Sequence, residues 1–229
     1  MSKWHNKRKE SIWKTIDKPI FIFCGGEKTE PNYFDGFKLL IENNAIYKNV
    51  VKIEIFRDPS DTIRILEKAI DYINKNQITK CDVWCVFDKD DFPARDFNNA
   101  VQKAASLNLN SEAIKYYIAW SNECIELWFL LHFCYYTASN GRKDYIDKLN
   151  EYFVKSNIDK YAKNNKDIFN ILLSIGNPQN AIANAEKLTI IHDGKTPADS
   201  VPCTMVHKLV ESLAVYLSED VKCKFVKGK

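Results

Sequence analysis

This chain has no disulfide framework, no membrane-spanning run and no phosphate loop. Its seven cysteines are an odd number without a tight CxxC pair, and no apolar core of a signal peptide stands at the start, so a reducing, cytoplasmic setting is expected. The longest greasy stretch, 124–138, is interrupted by Glu126 and His132 and is too short to cross a bilayer. It reads as a buried helix, and no membrane partner is expected. Only seven glycines and seven prolines in 229 residues argue against a disordered or fibrous protein. No GxxxxGK[ST] pattern, internal repeat or low-complexity tract is present, which weakens a phosphotransferase reading. A formal charge of +3 is too mild to mark a nucleic-acid binder by itself.

What is there is an ordinary globular composition with the basic residues bunched at both ends. Lys3, Lys7, Arg8, Lys9, Lys14 and Lys18 crowd the start, and Lys222, Lys224, Lys227 and Lys229 the end. Such ends either touch phosphates or are simply solvated. The chain is long enough to bury its own core as one α/β unit.

Four apolar runs alternate with helical periodicity. Ile20 to Cys24 reads as a central strand stopped by Gly25 and Gly26. A helix follows with Pro31 in its first turn, Thr29 or Glu30 as cap, and Tyr33, Phe34, Phe37, Leu40 and Ile41 at helical spacing. Strands at 51–56, 82–87 and 114–120 are followed by helices opened by Ser60 or Asp61, by Arg95 and by Ser121 or Asn122. A βαβαβαβα series closes into a parallel sheet whose post-strand loops share one edge. Beyond Gly141 the pattern turns polar and helical, with helices expected at 142–156, 167–174, 179–191 and 204–218. Residues 1–140 are therefore expected to form the α/β core, and 141–229 a helical extension packed on it.

The chemistry is expected at that shared edge. Asp88, Asp90 and Asp91 follow the third strand, and carboxylates so spaced converge on a hard cation that also holds phosphate oxygens; solvated turn acids are the plainer reading. Gly25 and Gly26 let a backbone approach a ligand, and the helix that follows offers amides to an anion. Glu27 is placed to ligate metal or activate a nucleophile, whereas Glu30 fits a helix cap. Glu126, alone on an apolar helix, either turns into the site or pairs with a buried base. His132 on the same helix reads as a hydrogen-bonded core residue more than a ligand. For His207, beside Thr204 and Lys208, a phosphate contact and a capping role are equally open.

Three ordered segments, Cys24 to Phe34, Val86 to Phe92 and Ser121 to Phe133, together resemble the RloB-like (AbiLii-like) family of bacterial phage-defence proteins. The segment from Pro202 to Val210 resembles that family's C-terminal motif. The resemblance implies a Toprim-like fold: a parallel sheet of about four strands flanked by helices, with a C-terminal helical layer. It further implies Mg²⁺- or Mn²⁺-dependent cutting of DNA or RNA in abortive infection, and an ATPase partner of the ABC or AAA type. Toprim enzymes carry a glutamate after the first strand and Asp-x-Asp after the third. Asp88, Lys89 and Asp90 match the second motif, but Gly25 stands where the leading glutamate belongs. Glu27, two residues on, points to the same side if the backbone stays extended. Two readings result. In the first, Asp88 and Asp90 hold the cation, Glu27 activates water, and Lys28 or Lys89, with Gly25, Gly26, Ser121 and Asn122, receives the phosphate. In the second, the site is degenerate and the domain binds nucleic acid or nucleotide while regulating its ATPase. Oligomeric state is open.

Overall fold

The computed structural model of the protein describes residues 18–60 and 62–226. The basic cluster from Lys3 to Lys14, together with Lys227, Lys229 and Asp61, lies outside them.

The first strand, β1 (Lys18–Cys24), is wholly apolar after its first residue and is buried on both faces, as a central parallel strand must be. β2 (Val51–Arg57) pairs with it on one side and β3 (Cys81–Asp88) on the other, and β4 (Ile114–Asn122) continues beyond β3, all parallel. Helix α1 (Thr29–Asn43) links β1 to β2, α2 (Thr62–Lys75) links β2 to β3, and α3 (Ala94–Leu109) links β3 to β4. Each lays an apolar stripe on the sheet: Ile65, Leu66, Ala69 and Ile73 on α2 are buried, the i, i+3, i+4 spacing of a helix with one face toward a core.

The sheet has five strands in the order β2-β1-β3-β4-β5, one more than expected. The addition, β5 (Cys203–Thr204), has two residues and runs antiparallel to β4, so the sheet is mixed. So short a pairing has no alternating pattern to read. It is held by side chains instead: Ser121 Oγ meets Thr204 Oγ1 at 3.0 Å, and Asn122 Nδ2 donates to the carbonyls of Pro197 and Ala198.

After β4 comes only a six-residue helix, α4 (Glu126–Leu131), shorter than the helix expected to start at Asn122. Ser121 and Asn122 are strand residues and cap nothing. The polar half then supplies α5 (Arg142–Lys155), α6 (Ile168–Ile175), α7 (Pro178–Ile191), α8 (Val206–Ala214) and α9 (Glu219–Lys222). Its buried residues join those of the sheet layer in one core. An aromatic cluster is the joint: Phe37 of α1 lies 4.7 Å from Phe169 of α6 and 5.3 Å from Phe225, ring centre to ring centre, and Tyr33 touches Phe129 and Phe169. The Toprim-like α/β core with an added helical layer is thus present. Among the described residues no helix is long and apolar enough to cross a membrane.

Candidate functional site

The carboxyl ends of β1 and β3 are adjacent. Cys24 pairs with Val86, and beyond the strand the Gly25 amide still donates to the Val86 carbonyl at 2.8 Å. The next loop is tied just as closely, with the Lys89 amide on the Ser121 carbonyl (2.8 Å) and the Asp90 amide on the Glu123 carbonyl (3.2 Å). Asp90 itself stands at φ 40, in the left-handed region that Asp enters more readily than most residues.

A cleft of about 400 Å³ opens at this edge, lined by both loops, and by Glu126, Arg142 and Lys163 from further along the chain. Five carboxylates line it: the exposed Glu27, and Glu30, Asp88, Asp90 and Glu126. Burial, and then repulsion from Glu30, Glu126 and Asp90, pushes the Asp88 carboxyl well above its usual range, with Arg142 acting the other way. Burial and Glu126 likewise raise Glu30 to about 7, opposed by its own backbone amide and by Lys163. Glu30 and Asp88 therefore resist ionising together without cations. Arg142 supplies one: its Nη2 forms an ion pair with Asp90, lies 3.6 Å from Asp88 Oδ2, and its Nε is 4.0 Å from Glu126 Oε2. Glu126 also accepts from the Tyr161 hydroxyl at 3.0 Å and has Lys163 Nζ at 3.9 Å.

Several expected residues stand elsewhere in this arrangement. Glu27 and Lys28 line the cleft but are exposed, and the buried acid of this loop and helix start is Glu30. Glu30 is not the helix cap: Lys28 holds that position, without a side-chain cap, and Thr29 donates to the Lys163 carbonyl instead. Gly26 explains the placement, because a Cβ there would run into the Glu30 carboxylate. At Gly25 a Cβ would sit 2.7 Å from Ile65 Cδ1 and 3.1 Å from Phe87 Cβ, so no larger side chain fits there without repacking. Asp91 is exposed and outside the cleft lining, while Lys89 turns its ammonium to the Asp90 carbonyl. Ser121 and Asn122 are buried with their side chains engaged by β5 and the turn before it. His132 is buried against Trp128, with neither ring nitrogen hydrogen-bonded among the described residues, and burial lowers its pKa to about 3. It is a core residue without the expected partner. His207 is buried, with Nδ1 3.1 Å from the Thr204 carbonyl, and does not line the cleft.

A hard divalent cation suits these donors in kind, since all are carboxylate oxygens. Their spacing is another matter: among the described residues no three His, Cys, Asp or Glu are grouped so as to hold a metal ion. Where Asp88, Asp90 and Glu126 converge, the guanidinium of Arg142 stands.

The raised Glu30 pKa has a measurable consequence. Between the usual 4.5 and about 7 the folded protein binds more protons than the unfolded one, so stability of the metal-free protein falls as pH rises through that window. Asp88 contributes with the same sign. A loss of about 1–3 kcal/mol is expected from pH ~5 to ~7.5, and Glu30→Gln is expected to flatten the slope. Urea unfolding in EDTA at several pH values measures both; an unchanged slope in the variant would show that Glu30 ionises freely.

Residues 20–213 match the family model described as RloB-like protein. No curated protein and no solved structure matches the chain. With the match covering most of its length, and with the β1 and β3 loops that carry the resembling segments side by side in one cleft, the chain belongs to the RloB-like family.

Proposed function

We propose that the protein is a metal-dependent nuclease that cuts nucleic acid phosphodiesters in phage defence, working beside an ATPase partner. Family membership supports the coarser part, a nucleic-acid-associated role in defence. The observation that carries the finer part is the cluster of Glu30, Asp88, Asp90 and Glu126 at a strand-end cleft, where burial and mutual repulsion raise Asp88 and Glu30. Acids held so close are an arrangement that folding alone disfavours and that a functional site uses.

In this reading Asp88 and Asp90 would hold Mg²⁺ or Mn²⁺, and the ion would supply polarisation of a phosphoryl oxygen and acidification of water. Glu30, rather than the exposed Glu27, takes the place of the missing acid at Gly25. A carboxylate near neutrality on the cleft wall is suited to accept a proton from water at its Oε atoms. Lys28 and Lys163 draw the polyanion to the opening, and the helical layer, through Lys163 and Arg142, completes the site. A second reading, a module that binds nucleic acid without cutting and regulates its ATPase, is favoured by one specific feature: Gly25 leaves no room for the leading glutamate.

The test is cleavage of labelled single- and double-stranded DNA and of tRNA with Mg²⁺, Mn²⁺ or EDTA. Metal-dependent cutting is expected, with Glu30→Gln at least about 10²-fold slower, as for loss of a general base, and Glu27→Gln within a few-fold of the parent. Binding of these nucleic acids with no cutting in either metal would support the second reading and remove the first.

A further inference from the structure

Of the thirteen phenylalanines, all among the described residues, every one but Phe92 belongs to the core or packs against it and touches another aromatic ring. Phe92 does neither: it is half-buried and lines the strand-end cleft. A lone apolar side chain on open surface needs no account, because much of any protein surface is apolar. Phe92 stands instead in a concavity edged by carboxylates, Arg142 and the exposed Lys28 and Lys163, where its ring adds nothing to the core. Its backbone is nonetheless fixed. The Phe92 amide donates to the Lys89 carbonyl at 3.1 Å, the Lys89 and Asp90 amides are held by the carbonyls of Ser121 and Glu123, and Pro93 then leads into α3. A side chain presented on so closed a turn loses little freedom when a ligand arrives.

We propose that Phe92 is a stacking platform for an unpaired base, so that the cleft takes single-stranded nucleic acid, with the strand's backbone toward Lys28 and Lys163. The proposal rests on the nucleic-acid reading of the same cleft, but on neither a metal nor cutting. Three features support it. An apolar ring beside exposed cations is the pairing that holds single strands, the ring taking the face of a base and the cations its phosphates. The cleft, at about 400 Å³, lies near the small end of the range for ligand pockets, roughly 300–1,000 Å³, so it admits a nucleotide and not a duplex. In a duplex each base already stacks on its neighbours, and reaching Phe92 requires that it be unstacked and turned out, a cost that an unpaired strand is spared. Every base offers a face to the ring, so no strong sequence preference is expected.

The test reads binding by fluorescence anisotropy in EDTA, on the full chain, with a short labelled unstructured oligonucleotide as DNA and as RNA, its blunt duplex, and an abasic strand of the same length. The parent is expected to bind the single strands at least about fivefold more tightly than the duplex. Phe92→Ala is expected to weaken single-strand binding by about 5- to 150-fold, the cost of one stacked base, and abasic-strand binding by less than about twofold. Phe92→Tyr, which keeps the flat ring, is expected to stay within about threefold of the parent, and Phe92→Leu, apolar but without a flat face, to resemble Phe92→Ala. Unfolding midpoints are expected to match the parent throughout, because the ring lies outside the core. Single-strand binding unchanged in Phe92→Ala, equal losses on the ordinary and abasic strands, or tighter binding of the duplex overturns the proposal. The nuclease reading fails separately. Metal-dependent cutting by Phe92→Ala with unchanged single-strand binding removes the platform and keeps the nuclease, whereas Phe92-dependent binding with no cutting in either metal does the reverse. If the parent binds none of these strands, both fall.

Discussion

Asp88→Asn is expected to lose metal-dependent cleavage by about 10²–10³-fold or more and, in the same preparation, to unfold at a higher denaturant concentration than the parent when metal is absent. The two effects have one origin. Asp88 ends β3, its side chain is 13% exposed, and its ionised form is opposed by burial and by Glu30, Glu126 and Asp90. Asparagine keeps the shape and removes the charge. The nearby Arg142 loses one contact at 3.6 Å but keeps Asp90, and relief of repulsion outweighs that loss by about 1 kcal/mol, because burial and the neighbouring acids already disfavour the charged form of Asp88 in the fold. Cleavage assays and urea unfolding in EDTA measure the pair. A variant that is both inactive and less stable would mean that Asp88 serves the fold through Arg142, and the nuclease assignment would lose its central residue. A variant that is more stable and still cuts would move the cation elsewhere.

The sheet was legible because its central strands are buried on both faces and need unbroken apolar runs; Ile20 to Cys24 and Val83 to Phe87 have them. The strand-end acid was legible for the same reason, since Asp88 follows such a run directly. What did not show was any residue whose position depends on the helical layer. Arg142 and Lys163 lie more than fifty residues past Asp88 in a polar stretch that periodicity reads as surface, and only the folded chain turns them into the cleft. The difference in burial between Glu27 and Glu30 was hidden for another reason. Treating the residues after Cys24 as extended placed Glu27 on the metal side, but α1 starts at Thr29, so Glu30 lies on the first turn, over Gly26. The missing side chain at Gly26 was the available signal: a second glycine leaves a space that a nearby acid fills. The short β5 and the truncated α4 were hidden because two- and six-residue elements lack a period to detect.

Gly36→Ala is expected to destabilise the protein by about 1–3 kcal/mol, although the same change at an exposed helix interior stabilises by about 1 kcal/mol. The sign reverses because α1 meets α6 at this point. A Cβ on Gly36 would fall within the Phe169 side chain, which is packed between Tyr33 and Phe37 and has little freedom to yield. If α6 moves instead, the segment before it moves too, and that segment carries Tyr161 and Lys163 to Glu126 and is pinned to α1 by Thr29 on the Lys163 carbonyl and Asn32 on the Asn165 carbonyl. The substitution lies almost two helical turns along α1 from Glu30, yet it is expected to weaken oligonucleotide binding at the cleft as well as to lower the unfolding midpoint. A double-mutant cycle isolates the cause: Phe169→Ala is expected to cost at least about 1 kcal/mol less in the Gly36→Ala background than in the parent, as for directly contacting residues. Additive effects, or a stabilised Gly36→Ala, would mean that the helical layer does not seat on α1 through Phe169, and that Lys163 reaches the cleft by a different support.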